Sequence, residues 1–394
     1  MRLGFRSVAR AAALATLAGL SACAVRPSGP PALSLRQVGF DAVPGWAGDR
    51  QAEAMPALLR GCERLLDLPQ AQELGGQGLA ADLGGRAWQW RGVCQAARAV
   101  PPGDDAAARR YFETWFAVWR VGDRGEEEAR FTGYYEPEVA GSRVRRGPYQ
   151  VPVLARPRDL VQQTDADGKP VFGRMQGGLL VPYYDRAKIE AGALDAQDLS
   201  IVYLSDPVDL FFLQIQGAGR IRLPDGRIMR VAYAGKNGRP YVPIGRLMVE
   251  RHLLAPDQVS MQSVRAWLLA HPDQAKALMD ENPSYVFFRV VPDVPPAEGP
   301  PGALGVDLTA GRSAAVDRSF IPLGAPVYVD TTDPLTSAPL QRLALAQDLG
   351  TDITGPVRAD IFFGDGDEAA ARAGHLHASG GFYLLLPRPE TGAR

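Results

Sequence analysis

The last third of the chain is written in short apolar runs, each stopped by a turn former before it could complete a helix. "APVYVDT", "RLALAQD", "VRADIFF" and "GFYLLLP" read as strands, all but the second carrying β-branched or aromatic residues. "RIRLPDGRIMRVAY" reads as a hairpin around Pro224-Asp225-Gly226, and "LFFLQIQG" as a further strand. Many short strands need many turns, and 43 glycines and 33 prolines in 394 residues supply them without reaching a disordered composition. The fold class predicted is mainly β with added helices.

Helical spacing is confined to a few places. In "DDAAARRYFETWFAVWRV" an Asp cap precedes a stripe of Tyr111, Phe112, Trp115, Phe116 and Trp119, which reads as core. "PIGRLMVERHLL" and "SMQSVRAWLLAHP" are helical too, the second with Met261, Val264, Trp267 and Leu268 on one face and Pro272 as its stop. The length suits two domains. The charged "GDRGEEEAR" and the proline-rich "VPDVPPAEGPPG" mark the breaks, so the middle segment is placed as an insertion into the outer one.

Arg2, Arg6 and Arg10 precede the apolar "AAALATLAGL", which is too short to span a bilayer and reads as an export signal. Leu20, Ser21, Ala22 and Cys23 then resemble a bacterial lipoprotein box. That resemblance implies cleavage before Cys23, acylation of its thiol and, with Ala24 following, sorting to the outer membrane with the protein facing the periplasm. "RPSGPPALSL" reads as a tether with nothing to pack. Cys62 and Cys94 remain, an even number in an oxidising compartment. They read as a disulfide or as two small buried apolar residues, Cys62 lying on the apolar face of "AMPALLRGCERLL".

Forty-three basic against 44 acidic residues leave no electrostatic footprint for nucleic acid. With neither CxxC nor HExxH and only four histidines, no metal and no cofactor is expected. "QIQGAGRI" lacks the strand-to-helix setting of a phosphate loop, "AGKNG" lacks the Walker spacing, and no GxSxG elbow occurs. Carboxylate chemistry is left. Asp317 in "AVDRSFIPLG", Asp348 in "LALAQDLG" and Asp360 in "VRADIFFG" each follow an apolar run. Strand interiors disfavour Asp, and a buried carboxylate without a partner is costly. Spacing does not say which of the three is the chemical one.

Several long runs carry a family likeness: "FTGYYEP" (131–137), "AKIEAGAL" (187–194), "FFLQIQGAGRI" (211–221), "YAGKNGRPYVPIG" (233–245) and "ENPSYVFF" (281–288). With "AVDRSFIPLGAPVYV" and "AQDLGTDITGPVRADIFFG" they cover most of the chain in order and resemble the membrane-bound lytic murein transglycosylase A family. The resemblance implies a double-psi β-barrel from residues 46–133 and 290–394, an inserted β-rich substrate domain over 134–289 and a groove between them. A signal peptide (1–22) and a flexible tether (23–45) precede these. It makes Asp317, Asp348 and Asp360 the three aspartates of the C-terminal module, with Asp360 as acid/base and the other two in support. One departure is that Leu349-Gly350-Thr351-Asp352 stands where the family often has a Gly-Gly pair.

The activity implied is cleavage of the β-1,4 bond between N-acetylmuramate and N-acetylglucosamine, closing a 1,6-anhydro ring with a single carboxyl group. Peptidoglycan strands are the expected partner, with cell-wall synthesis or division proteins as further ones. Glycan contacts are expected from Thr132, Gly133, Tyr134, Tyr135, Gln214, Gln216, Gly217 and Gly219, and from Lys236 and Asn237 toward lactyl or peptide carboxylates. Of Tyr134 and Tyr135, one is expected inward and one toward the groove. In an extended strand Arg358 shares a face with Asp360 and would lower its pKa, so Arg358 is expected to point away or to engage Asp348 or Asp317. Rival readings are an inverting hydrolase pairing Asp360 with Asp348 or Asp352, and a non-catalytic glycan-binding lipoprotein.

Overall fold

Strands from both ends of the sequence meet in one closed barrel. The computed structural model describes residues 29–74, 83–164, 170–291, 295, 298–350 and 352–389; Cys23 and Thr351 lie outside them. Three strands come first: β1 (Leu33–Val38), β2 (Phe116–Asp123) and β3 (Ala129–Glu136). The middle segment holds β4 (Glu138–Ser142), β5 (Val151–Leu154), β6 (Val161–Thr164), β7 (Pro170–Gln176) and β8 (Leu179–Pro182). It continues with β9 (Ser200–Leu204), β10 (Ala218–Arg222), β11 (Ile228–Lys236) and β12 (Val286–Val291). The chain then returns with β13 (Ser313–Val316), β14 (Pro326–Thr332), β15 (Pro339–Asp348), β16 (Arg358–Asp365) and β17 (His377–Pro387).

The barrel order is β3-β16-β13-β15-β14-β17, closed by pairing of β17 with β3. β3 runs parallel to β16 and β13 parallel to β15, and the other four pairings are antiparallel. Closure leaves the six strands no free edge. β2 and then β1 extend the sheet from the far end of β17. Within the tether expected over 23–45, residues 33–38 instead form β1, because Leu33 and Leu35 find a core to pack on.

Three helices close one side of the barrel: α1 (Met55–Leu66), α2 (Arg91–Ala97) and α3 (Asp105–Trp115). Cys62 of α1 and Cys94 of α2 form a disulfide inside this core. Asp104 caps α3 as expected, its side chain accepting from Ala107 N–H. The predicted aromatic stripe, however, breaks in two. The helix ends at Trp115, and Phe116 and Trp119 belong to β2, where Trp119 pairs with Gln37 of β1 and Leu384 of β17. The run "FAVWRV" is β-branched and aromatic, and cross-strand pairing outweighs its helical spacing.

The middle segment builds a six-stranded sheet ordered β12-β11-β10-β4-β9-β5 and a small sheet of β6, β7 and β8. The predicted hairpin is β10–β11, in register from Ala218 opposite Ala232 to Arg222 opposite Ile228. "LFFLQIQG" departs from its expected strand: it lies in helix α4 (Pro207–Gln216). Asp206 caps it by accepting from Val208 N–H, Pro207 occupies the first turn, and Gly217 ends it at φ 77°. α4 is apolar nearly all round because it is buried on two sides. Leu210 and Leu213 face the sheet, while Val208, Phe211 and Phe212 face α5 (Ile244–Glu250), α6 (Met261–Ala270) and α7 (Pro272–Asp280). Pro272, expected as a stop, opens α7 at its first turn, where it has no helical N–H to lose. A last helix, α8 (Gly366–His375), packs on β3 and β16.

Where the chain leaves the barrel, Glu136 is fully buried. Its Oε2 accepts from Arg220 Nε at 2.9 Å and Arg230 Nη2 at 3.1 Å. Arg220 reaches on to Asp365 at the end of β16 (2.7 Å), and Arg230 donates to the carbonyls of Pro295 and Glu298 on the returning chain. Strands of the barrel and of the six-stranded sheet are thus tied at both crossings.

Candidate active site

Period-two alternation in β16 explains an aspartate among phenylalanines. Ala359 and Ile361 fill the barrel core, so Arg358, Asp360 and Phe362 stand on the opposite face. The parallel register sets Asp360 beside Thr132 of β3, and on the other side Ala315 of β13 adds no polar group. Thr132 Oγ1 donates to Asp360 Oδ1 at 2.8 Å. Burial pushes the Asp360 carboxyl up to about 6; Arg358 and the Thr132 hydrogen bond oppose the rise, and Asp348 and Asp352 add to it.

Arg358 neither points away nor engages Asp348 or Asp317. Its Nη2 donates to Thr132 Oγ1 at 2.8 Å, and its Nη1 donates to the Ala359 carbonyl at 2.9 Å. It stays beside Asp360 without a direct ion pair, joined to it through the threonine.

Asp348 ends β15. Its Oδ1 accepts from Ala303 N–H and its Oδ2 from the Tyr134 hydroxyl, both at 2.9 Å. Burial raises its pKa against these bonds. The Tyr134 phenol is held protonated by burial and by the carboxylates of Asp348 and Asp360, which keeps it a donor. Its ring packs 5.2 Å from that of Phe362. Asp317 behaves differently: it takes Ser319 N–H on Oδ1 and Gly355 N–H on Oδ2, tying the loop that feeds β16 rather than lining the cleft.

The cleft beside Asp360 has a volume of about 410 Å³. Thr132, Gly133, Arg358, Asp360 and His377 form its barrel wall, and α4 with the segments around α5 and α6 forms the other. α6 also bridges the walls, Gln262 Nε2 donating to the Ala370 carbonyl of α8 at 2.7 Å. Gln214 and Gln216 both line it as expected. Gln216 receives Tyr135 N–H on Oε1 (3.0 Å). Gln214 is only 5% exposed, and its Oε1 has no protein hydrogen-bond partner.

Other predicted glycan contacts fall elsewhere. Tyr134 turns to Asp348, and Tyr135 is half-buried near Asp209 and Arg265, so neither opens on the cleft. Gly217 ends α4, and a side chain at Gly219 would strike Leu213 and the Pro137 carbonyl. Asn237 is fully buried, bonding the backbone of Tyr184, Pro283, Tyr285 and Arg239. Lys236 lies outside the cleft, its Nζ 6.0 Å from the Phe172 ring centre, and burial lowers its pKa. Sequence reasoning missed His377, Tyr241 and Ser260, which line the cleft. His377 has one readable signal, and only once the register is known: it sits opposite Thr132. Among the described residues no group of three or more His, Cys, Asp or Glu is placed to hold a metal ion.

A carboxyl group whose pKa burial raises to about 6, at the wall of a cleft, has the proton affinity that general acid–base chemistry calls for. The profile described as the MltA specific insert domain matches residues 130–289, and that of the 3D domain matches 312–386. Membrane-bound lytic murein transglycosylase A of Escherichia coli K12 is 32% identical over 270 residues, 67% of each chain. The crystal structure of a membrane-bound lytic murein transglycosylase from Agrobacterium tumefaciens superposes with a TM-score of 0.78 at 35% identity, covering 90% of this chain and 98% of that one. E. coli MltA with bound chitohexaose superposes at 0.65 and 27% identity, covering 92% and 95%. The chain belongs to the membrane-bound lytic murein transglycosylase A family.

Proposed function

We propose that this protein is a peptidoglycan lytic transglycosylase in which Asp360 alone serves as acid and then as base. The observation that carries the reading is the proton affinity of Asp360 in the cleft: a group with a pKa of about 6 can give up a proton and take one back. Asp360 protonates the glycosidic oxygen between N-acetylmuramate and N-acetylglucosamine, and the C1–O bond breaks. The resulting carboxylate takes the proton of the C6 hydroxyl as O6 bonds to C1. The ring closes as 1,6-anhydromuramate, Asp360 is again protonated, and no water is consumed.

Asp348 accepts from the Tyr134 hydroxyl and from backbone N–H groups of Ala303 and Leu349, which suits it to hold Tyr134 and add negative potential rather than to exchange protons. Asp317 orders the loop before β16. Gln214, which lines the cleft with its Oε1 unpaired, is a candidate acceptor for an acetamido N–H. A catalytic barrel domain (46–133 with 290–394) and a substrate domain (134–289) are supported by the division of their strands into separate sheets, although β1 joins the barrel sheet and β3 and β12 run a few residues past these bounds. Acylation of Cys23 would hold the protein on the outer membrane; none of the described helices is long and apolar enough to cross one.

Asp360→Asn is expected to keep fold and glycan binding while losing at least about 10²-fold in turnover of purified sacculi. Near-normal turnover by the variant removes Asp360 from the role. Asp352 is exposed in the same cleft, which favours one second reading, an inverting hydrolase with Asp352 directing a water. Product masses decide: anhydro ends are lighter by one water than the reducing ends a hydrolase leaves.

A further inference from the structure

We infer that Thr132 and Arg358 are a positioning pair that determines which oxygen of Asp360 carries the proton and how tightly it is held. The inference rests on the acid–base reading of Asp360 and adds to it two residues that need not touch the sugar.

The argument is one of donors and acceptors. A guanidinium can only donate, and a threonine hydroxyl has a single hydrogen. Arg358 Nη2 donates into Thr132 Oγ1, so that hydrogen is directed elsewhere, and the acceptor 2.8 Å away is Asp360 Oδ1. In a protonated carboxyl the carbonyl-type oxygen is the better acceptor. Oδ1 therefore takes that role and the proton resides on Oδ2, which no described group engages in a hydrogen bond. Two features hold the threonine still: its branched Cβ restricts χ1, and the β3–β16 register fixes its Cα opposite Asp360. Arg358 is fixed in turn by the Ala359 carbonyl on its own strand.

The same chain tunes affinity. The groups around Asp360 are Arg358 on β16, Thr132 and Tyr134 on β3, Asp348 on β15, Asp352 in the loop and His377 on β17. Desolvation and the two carboxylates raise its pKa, whereas Thr132 and Arg358 lower it. The pair thus keeps the acid from holding its proton too firmly to take part in a reversible exchange.

Three variants test this: Thr132→Val, which keeps the shape but loses the hydroxyl, Thr132→Ser, which restores it, and Arg358→Met. The Asp360 carboxyl is titrated by carbon NMR of aspartate-labelled protein, its signal assigned by its loss in Asp360→Asn. The pH dependence of sacculus digestion is recorded in parallel. Expected is a carboxyl that titrates about one pH unit higher in Thr132→Val, a tenfold gain in proton affinity, and higher as well in Arg358→Met. The alkaline fall of the rate should move with it, while Thr132→Ser keeps both where the wild type has them. An Asp360 titration unmoved in Thr132→Val, or moved as far in Thr132→Ser, overturns the inference. If the titration moves as expected but Asp360→Asn still digests sacculi, the pair stands and the acid–base reading of Asp360 falls.

Discussion

Asp360 sits more favourably in its place when neutral than when ionised. Its pKa lies near 6 in the folded protein and near 3.8 when free, so the unfolded chain loses its proton first as pH rises. Stability that is fully present below pH 3.8 is therefore lost progressively up to about pH 6. Asn, which cannot ionise, escapes that loss. Asp360→Asn should be more stable than the wild type at pH 7 by about 2–3 kcal/mol, with the difference vanishing near pH 4, as read by chemical denaturation at the two pH values. Equal stabilities at pH 7 would mean the carboxylate is far better solvated than its surroundings indicate. The misfit of Asp360 was legible in the sequence, since an acid inside "VRADIFF" goes against strand preference. The part played by Thr132 was not, because it depends on two strands meeting in one register. Asn237 shows the reverse error: a polar residue in a glycine-rich run looks exposed until its four backbone partners appear.

Strands of the barrel were readable as short apolar runs cut off by turn formers, although β13, β14 and much of β15 and β17 are buried on both faces. α4 was misread because its surroundings erase helical spacing: a segment buried on two sides is apolar at every spacing, so only its ends were informative. Asp206-Pro207 and Gly217 were those ends. The break of the aromatic stripe at Phe116 has a similar origin, since helix and strand there are both rich in aromatics. α1 and α2 carry a different device, the Cys62–Cys94 disulfide, far in sequence from the cleft residues. Closing a loop of 32 residues is worth about 3–4 kcal/mol. A Cys62→Ala, Cys94→Ala protein should unfold at correspondingly lower denaturant concentration, yet digest sacculi at an unchanged rate under folding conditions. A rate lost in step with the disulfide would tie these helices to the chemistry.

Barrel and six-stranded sheet are joined at two neighbouring crossings, and Glu136 stands between them. Removing its carboxylate takes one buried partner from both Arg220 and Arg230, of which Arg230 is only 7% exposed. Breaking a buried ion pair from one side typically costs about 3–5 kcal/mol. Glu136→Ala should lose stability on that order in denaturant titration, whereas Glu136→Gln, which keeps an acceptor, should lose less. Equal losses would show the charge to be irrelevant there. The proline-rich break and the charged loop suggested an insertion, but nothing in the sequence pointed to this clamp, whose members lie 84 and 94 residues apart.

Thr132 and Asp360, which share one hydrogen bond, are separated by 228 residues, with the whole inserted segment between them. A ribosome must therefore finish nearly the entire chain before the acid can acquire its proper neighbours. If Asp360 is the acid proposed above, copies terminated before β16 lack it and should not cut, so cleavage would await near-completion of the polypeptide.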